Sequence, residues 1–172
     1  MKRFALFGVF ALIGVIVSLF TVSSKDVQRY NDAMVETVGQ VDEAFTLVVP
    51  FMETYSNGEA VVIDDFARAV TEMGTRIDSR IAEVQAHQVP DDEACRTFHA
   101  SLLDYANNSK AIHAVYADQL VPYIREHNPG TQADIAVLDG FFGDLMTRDE
   151  SLLERVQSTQ QAMASKHKMK LH

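Results

Sequence analysis

Residues 27–55 read VQRYNDAMVETVGQVDEAFTLVVPFMETY, with apolar side chains at Val27, Tyr30, Met34, Val38, Val41, Phe45, Val48, Met52 and Tyr55. Steps of three and four put all of them on one stripe of a helix, whereas a strand would alternate in twos. Pro50 interrupts the run, because it has no N–H to offer the Thr46 carbonyl and its ring crowds that turn. The stripe continues beyond it, which predicts a kink and not an end. Asn57-Gly58 supplies the stop, since glycine most easily takes the left-handed conformation that follows a helix.

Outward from this stretch the same pattern recurs three times. Helix two is expected from about Glu59 to Gln88, with Ser56-x-x-Glu59 as its N-cap signal and Ile63, Phe66, Val70, Met73, Ile77, Ile81 and Val84 on one face. Val89-Pro90-Asp91-Asp92 breaks it and opens helix three with acids, which the helix dipole favours there. Helix three carries Phe98, Leu102, Tyr105, Ser109, Ile112, Tyr116, Leu120 and Ile124 in register, with Pro122 near its end and Asn128-Pro129-Gly130 beyond. Thr131-x-x-Asp134 has the form of a capping box for helix four, whose stripe is Ile135, Leu138, Phe142, Leu145, Leu152, Val156 and Met163. Gly140-Phe141-Phe142-Gly143 suggests that helix four approaches a neighbour closely. Four long amphipathic helices with short connections predict an all-α, up-down-up-down four-helix bundle over residues 24–165. That topology puts the turns at Asn57-Gly58 and Pro129-Gly130 at one end. The Val89-Pro90-Asp91-Asp92 turn and the basic tail, residues 166–172, share the other.

An offset of 72 residues (Pro122 against Pro50) aligns Val49-Pro50-Phe51-Met52 with Val121-Pro122-Tyr123-Ile124 and Gly58 with Gly130. Thr75-Arg76 then meets Thr147-Arg148 without a gap. A shared heptad pattern accounts for the apolar matches but not for proline on proline or glycine on glycine. A duplicated helical hairpin is therefore expected.

Ahead of the bundle, FALFGVFALIGVIVSLFTV runs from Phe4 to Val22 without a charge and follows Met1-Lys2-Arg3. As a helix it is ~28 Å long, close to the hydrocarbon thickness of a bilayer. Residues 1–23 are therefore read as an N-terminal transmembrane anchor, with a signal peptide cleaved after export as the alternative. Lys2 and Arg3 hold the N-terminus inside, so the bundle is expected on the extracytoplasmic, periplasmic side of the inner membrane. The chain has a formal charge of -9, and an acidic domain repels phosphate backbones, so nucleic acid is not an expected partner.

Cys95 is the only cysteine, so no intrachain disulfide can form; it reads as a small buried hydrophobe, with an intermolecular disulfide as the alternative. His99, His113 and His127 are two heptads apart, ~21 Å along a helix, and cannot share one ion. Cys95 and His99 lie at i and i+4, a spacing that can close on a metal, and Asp91, His87 or a neighbouring helix could complete the set. The metal candidates are thus His87, Cys95 and His99. Asp149 falls in a core slot and needs a partner, for which Arg76 or Arg148 is expected. No Glu-x-x-His, His-Glu-x-x-His, Cys-x-x-Cys-His, phosphate loop or nucleophile elbow occurs, so neither an enzyme nor a bound cofactor is expected. The basic tail complements the dipole of the last helix and suits anionic headgroups.

Tyr30-Asn31 with Val41-Asp42-Glu43-Ala44-Phe45 is similar to the first ectodomain helix of the LemA-like proteins, which also place a helical domain after an N-terminal span. The spacing differs by one residue and the likeness covers that helix only. In outline the chain also resembles the four-helix sensor domains of chemoreceptors. The function expected is a membrane-anchored, non-enzymatic interaction or scaffold module, its protein partner meeting the polar tip at Tyr55, Asn57 and His127. The alternative is a ligand- or metal-binding accessory domain with its site inside the bundle.

Overall fold

The computed structural model describes residues 25–169. The apolar run at residues 4–22, and with it the anchor reading, lies outside them. Among the described residues every regular element is helical, and no helix is long and apolar enough to cross a membrane. In chain order they are α1 (Lys25–Ala44), a 3-10 turn (Phe45–Leu47), α2 (Val49–Ser56), α3 (Ile63–Ala86), α4 (Glu93–Val115), a π turn (Tyr116–Leu120), α5 (Val121–Glu126) and α6 (Gln132–Lys166).

These form four arms: α1 with α2, α3, α4 with α5, and α6. Each reverses the last. Tyr30 near the start of α1 meets His87 at the end of α3, Tyr55 at the end of α2 meets His127 after α5, and Lys166 at the end of α6 meets Asp92 before α4. We call the end holding the turns after α2 and α5 the tip, and the end holding the α3–α4 turn the base. The connections obey the short-loop logic of an antiparallel bundle.

The interruptions trace to the prolines. Pro50 cannot donate to Thr46, and the helix tightens into the 3-10 turn just before it, where the Val48 N–H reaches the Phe45 carbonyl at 3.1 Å. Pro122 sits two residues beyond the π turn, which widens the helix ahead of the missing donor. The capping box expected for α6 is present, with Thr131 and Asp134 each accepting from the other's backbone N–H. The cap expected at Ser56-x-x-Glu59 is not used, and α3 begins at Ile63 with no side-chain cap. The reason is Asn128, whose amide accepts from Val61 N–H and donates to Val61 C=O, both at 2.8 Å. That clamp holds the chain extended where helix two was expected to start.

The core has two apolar halves. The tip half includes Val41, Tyr55, Phe66, Ile77 and Phe142; the base half includes Met34, Cys95, Phe98, Leu102 and Met163. Phe66 and Phe98 are fully buried, each worth about 1.5–3 kcal/mol relative to exposure. Between the halves lies a polar layer, described below. The seam between α1 and α6 is looser than the others and holds a cleft of about 20 Å³ bordered by Val35, Val38, Tyr105, Leu153 and Gln160. The expected close approach at Gly140 and Gly143 is not found, since a Cβ at either would touch nothing within 4 Å. The glycine that is tightly packed in a helix is Gly74, where a Cβ would lie 2.4 Å from the His113 ring.

Candidate functional site

At the base, two helix ends converge on one cysteine. Asp92 is the N-cap of α4, its Oδ1 accepting from Ala94 N–H at 2.8 Å and Cys95 N–H at 3.2 Å. N-cap and third helical residue project over the same turn, so Cys95 is brought beside the Asp92 carboxylate. From the opposite direction α6 ends at Lys166 and His167. Its last turn is closed by two reversed bonds, Lys168 N–H to Ser165 C=O (3.2 Å) and Met169 N–H to Ala164 C=O (2.7 Å), with Lys168 left-handed at φ 55. This is a Schellman closure, and it buries Met169 against the base core. His167 is thereby fixed over Asp92, Nε2 to Oδ1 at 3.4 Å.

The donor atoms of Asp92, Cys95 and His167 lie within 4.8 Å of one another. Lys166 Nζ is 2.5 Å from Asp92 Oδ2. That contact, ahead of His167 and the two backbone N–H groups, holds the Asp92 carboxyl well below the usual carboxylate range. Burial and then the Asp92 charge push the Cys95 thiol up. At rest the site is thus a neutral thiol beside an ionised carboxylate.

Of the expected ligands, Cys95 is central, but His87 and His99 are turned elsewhere. Tyr30 takes them both: its hydroxyl and His99 Nδ1 are 3.0 Å apart, and its ring lies 5.7 Å from that of His87 and 6.3 Å from that of His99. Burial and then His87 lower the His99 pKa, which keeps that imidazole neutral. Cys95 is fully buried, in line with a core role and against a disulfide to another molecule. His99, four residues on, sits at the margin of the same face. Asp91 points out to Arg96, so Asp92 takes the position Asp91 was expected to fill. His167 was not foreseen as a ligand. Its signal was the topology, which already returned the tail to the Val89–Asp92 turn.

The tip is a latch. Tyr55 is fully buried, donates to the His127 carbonyl at 2.9 Å, and packs so closely on Gly130 that a Cβ there would lie 2.5 Å from its ring. It therefore organises the tip and does not present a surface, contrary to expectation. Asn57 is exposed, and His127 stacks on Tyr123 at 4.1 Å.

The buried Asp149 pairs with neither Arg76 nor Arg148. Arg76 is engaged on the surface by Glu72, and Arg148 is exposed. The partner is Asn108, whose Nδ2 donates to Asp149 Oδ1 at 2.9 Å.

Comparison with protein-family models, curated proteins and solved structures finds no match for this chain. The LemA-like likeness rests on α1 alone, and any functional reading rests on the sites.

Proposed function

We propose that this chain is a membrane-anchored, envelope-facing helical bundle, without catalysis of its own, that serves as a metal-binding accessory domain. One zinc-type ion is held by Asp92, Cys95 and His167. The observation that carries this reading is the gathering of one sulfur, one imidazole nitrogen and one carboxylate oxygen within 4.8 Å from two separate chain segments. Sulfur with nitrogen and a single carboxylate suits a borderline ion such as zinc, and three protein ligands leave a fourth position open. Binding takes a proton from Cys95 and exchanges the Lys166 contact for a metal bond, so affinity rises with pH. The run at residues 4–22 supports the anchored placement, with release after signal cleavage as the alternative.

Cobalt titration of the full chain in detergent tests the site, because a thiolate ligand gives cobalt a charge-transfer band. The expected result is one equivalent per chain, displaced by zinc and abolished in Cys95→Ser. Asp92→Asn keeps the N-cap but loses the charge, and weakens binding at least ~10-fold. A band that survives in Cys95→Ser refutes the assignment.

A second reading, the interaction or scaffold module, is favoured by Val62, 63% exposed beside the latched tip. Tyr55 and His127 are joined across the 72-residue offset of the repeat, and the two interrupted turns fall at matching places in it. Both support descent from a duplicated hairpin. A pull-down in which Asn57→Ala, Val62→Ser and His127→Ala retain every partner counts against the tip.

A further inference from the structure

The two apolar halves of the core meet at a layer that contains two carboxyl groups and no counter-charge. Asp42 on α1 is 7% exposed, Asn108 on α4 1% and Asp149 on α6 2%. Tyr105 donates its hydroxyl to Asp42 Oδ1 at 2.9 Å. Asn108 gives both amide hydrogens away, to Asp149 Oδ1 at 2.9 Å and to the Leu145 carbonyl at 3.3 Å. These contacts fix the orientation of each group and leave one oxygen of each without a partner: Asp42 Oδ2 and Asn108 Oδ1 are buried with no hydrogen bond. Neither carboxyl joins an ion pair among the described residues.

We propose that Asp42, Asn108 and Asp149 form a buried binding site for one hard divalent cation, calcium fitting best. Two orphaned acceptor oxygens in low dielectric need a donor or a cation, and leaving them bare is costly. A single proton can satisfy this one pair of oxygens but offsets only one of the two carboxylate charges; a divalent cation satisfies the pair and balances both. The donors are oxygen only, which excludes the softer metals suited to the base. Magnesium demands near-ideal octahedral geometry and gives up its water reluctantly. Calcium accepts irregular sets of carboxylate and amide oxygens.

Protons compete for the same groups. Burial, opposed by the Tyr105 hydrogen bond and assisted by Asp149, pushes the Asp42 carboxyl up to about 7. Burial likewise raises Asp149, against the Asn108 bond and with Glu150 adding to it. The ionisable groups acting on the pair are Tyr105, Glu150 and the two carboxyls themselves; none from α3 is among them. Cation binding therefore strengthens as pH rises through neutrality.

The chain has no tryptophan, so terbium luminescence excited through tyrosine reports an ion beside Tyr105. With the full chain in detergent at pH ~8, terbium is expected to give a calcium-displaceable signal that fades by pH ~5 as the carboxyls protonate. Asp42→Asn and Asp149→Asn weaken calcium at least ~10-fold. Tyr105→Phe dims the luminescence while the calcium-induced rise in Tm persists, which covers the case of an Asn variant that does not fold. Cys95→Ser leaves the signal unchanged, separating this site from the one at the base. No calcium-displaceable signal in the wild type, or an undiminished one in folded Asp42→Asn and Asp149→Asn, overturns the proposal.

Discussion

Asp42 links the interior to pH. Its carboxyl titrates near 7 in the fold against ~3.9 in an unfolded chain. The native state therefore holds the proton that the unfolded state has lost between these values. By linkage, the contribution of Asp42 to stability without divalent cations is greatest below pH ~4, falls as pH rises towards ~7 and is level above. The neighbouring Asp149, also raised by burial, adds in the same direction. Asp42→Asn retains the Tyr105 hydrogen bond and removes the titrating proton. It is expected to flatten this slope and to stabilise the calcium-free protein at pH ~8 by about 2 kcal/mol. Urea unfolding across pH measures both quantities, and a slope between pH ~4 and ~7 that is the same in Asp42→Asn as in the wild type would show that Asp42 does not titrate there.

At the level of elements, the ends of helices carry the specificity of this molecule. The N-cap of α4 supplies Asp92 and sets Cys95 one turn on, while the Schellman closure of α6 delivers His167. Lys168 occupies a left-handed position at φ 55, where a side chain costs about 1 kcal/mol relative to glycine. Lys168→Gly should therefore stabilise the bundle by about 0.5–1 kcal/mol in urea unfolding, with zinc affinity unchanged because Lys168 contributes no ligand. A loss of stability would mean that the lysine side chain itself holds the tail. Element ends are also where sequence reading succeeded and failed. Thr131-x-x-Asp134 is a local signal and appears as written. Ser56-x-x-Glu59 is equally good locally, but Asn128, 67 residues away from Val61, overrides it.

On the scale of the whole molecule, the apolar stripes were enough to specify four antiparallel arms, because burial of one face decides which side of each helix turns inward. They also brought the α3–α4 turn and the tail to one end. What periodicity cannot state is which polar groups share a layer. Cys95 and His99 look paired by spacing, yet a small rotation sends one to Asp92 and His167 and the other to Tyr30. Asp149 looked like half of an arginine salt bridge, because sequence offers charges and not the amide of Asn108 on the facing arm. Tyr55 looked like a surface aromatic until Gly130 closed over it. In each case the deciding contact comes from a distant segment. The base site is the clearest such convergence, and the zinc reading depends on it. Its most direct test is anomalous diffraction at the zinc edge from crystals of the full chain grown with one equivalent of zinc. One strong peak bounded by Asp92, Cys95 and His167, with Lys166 displaced, is expected. A peak between His87 and His99, or none at Cys95, would contradict it.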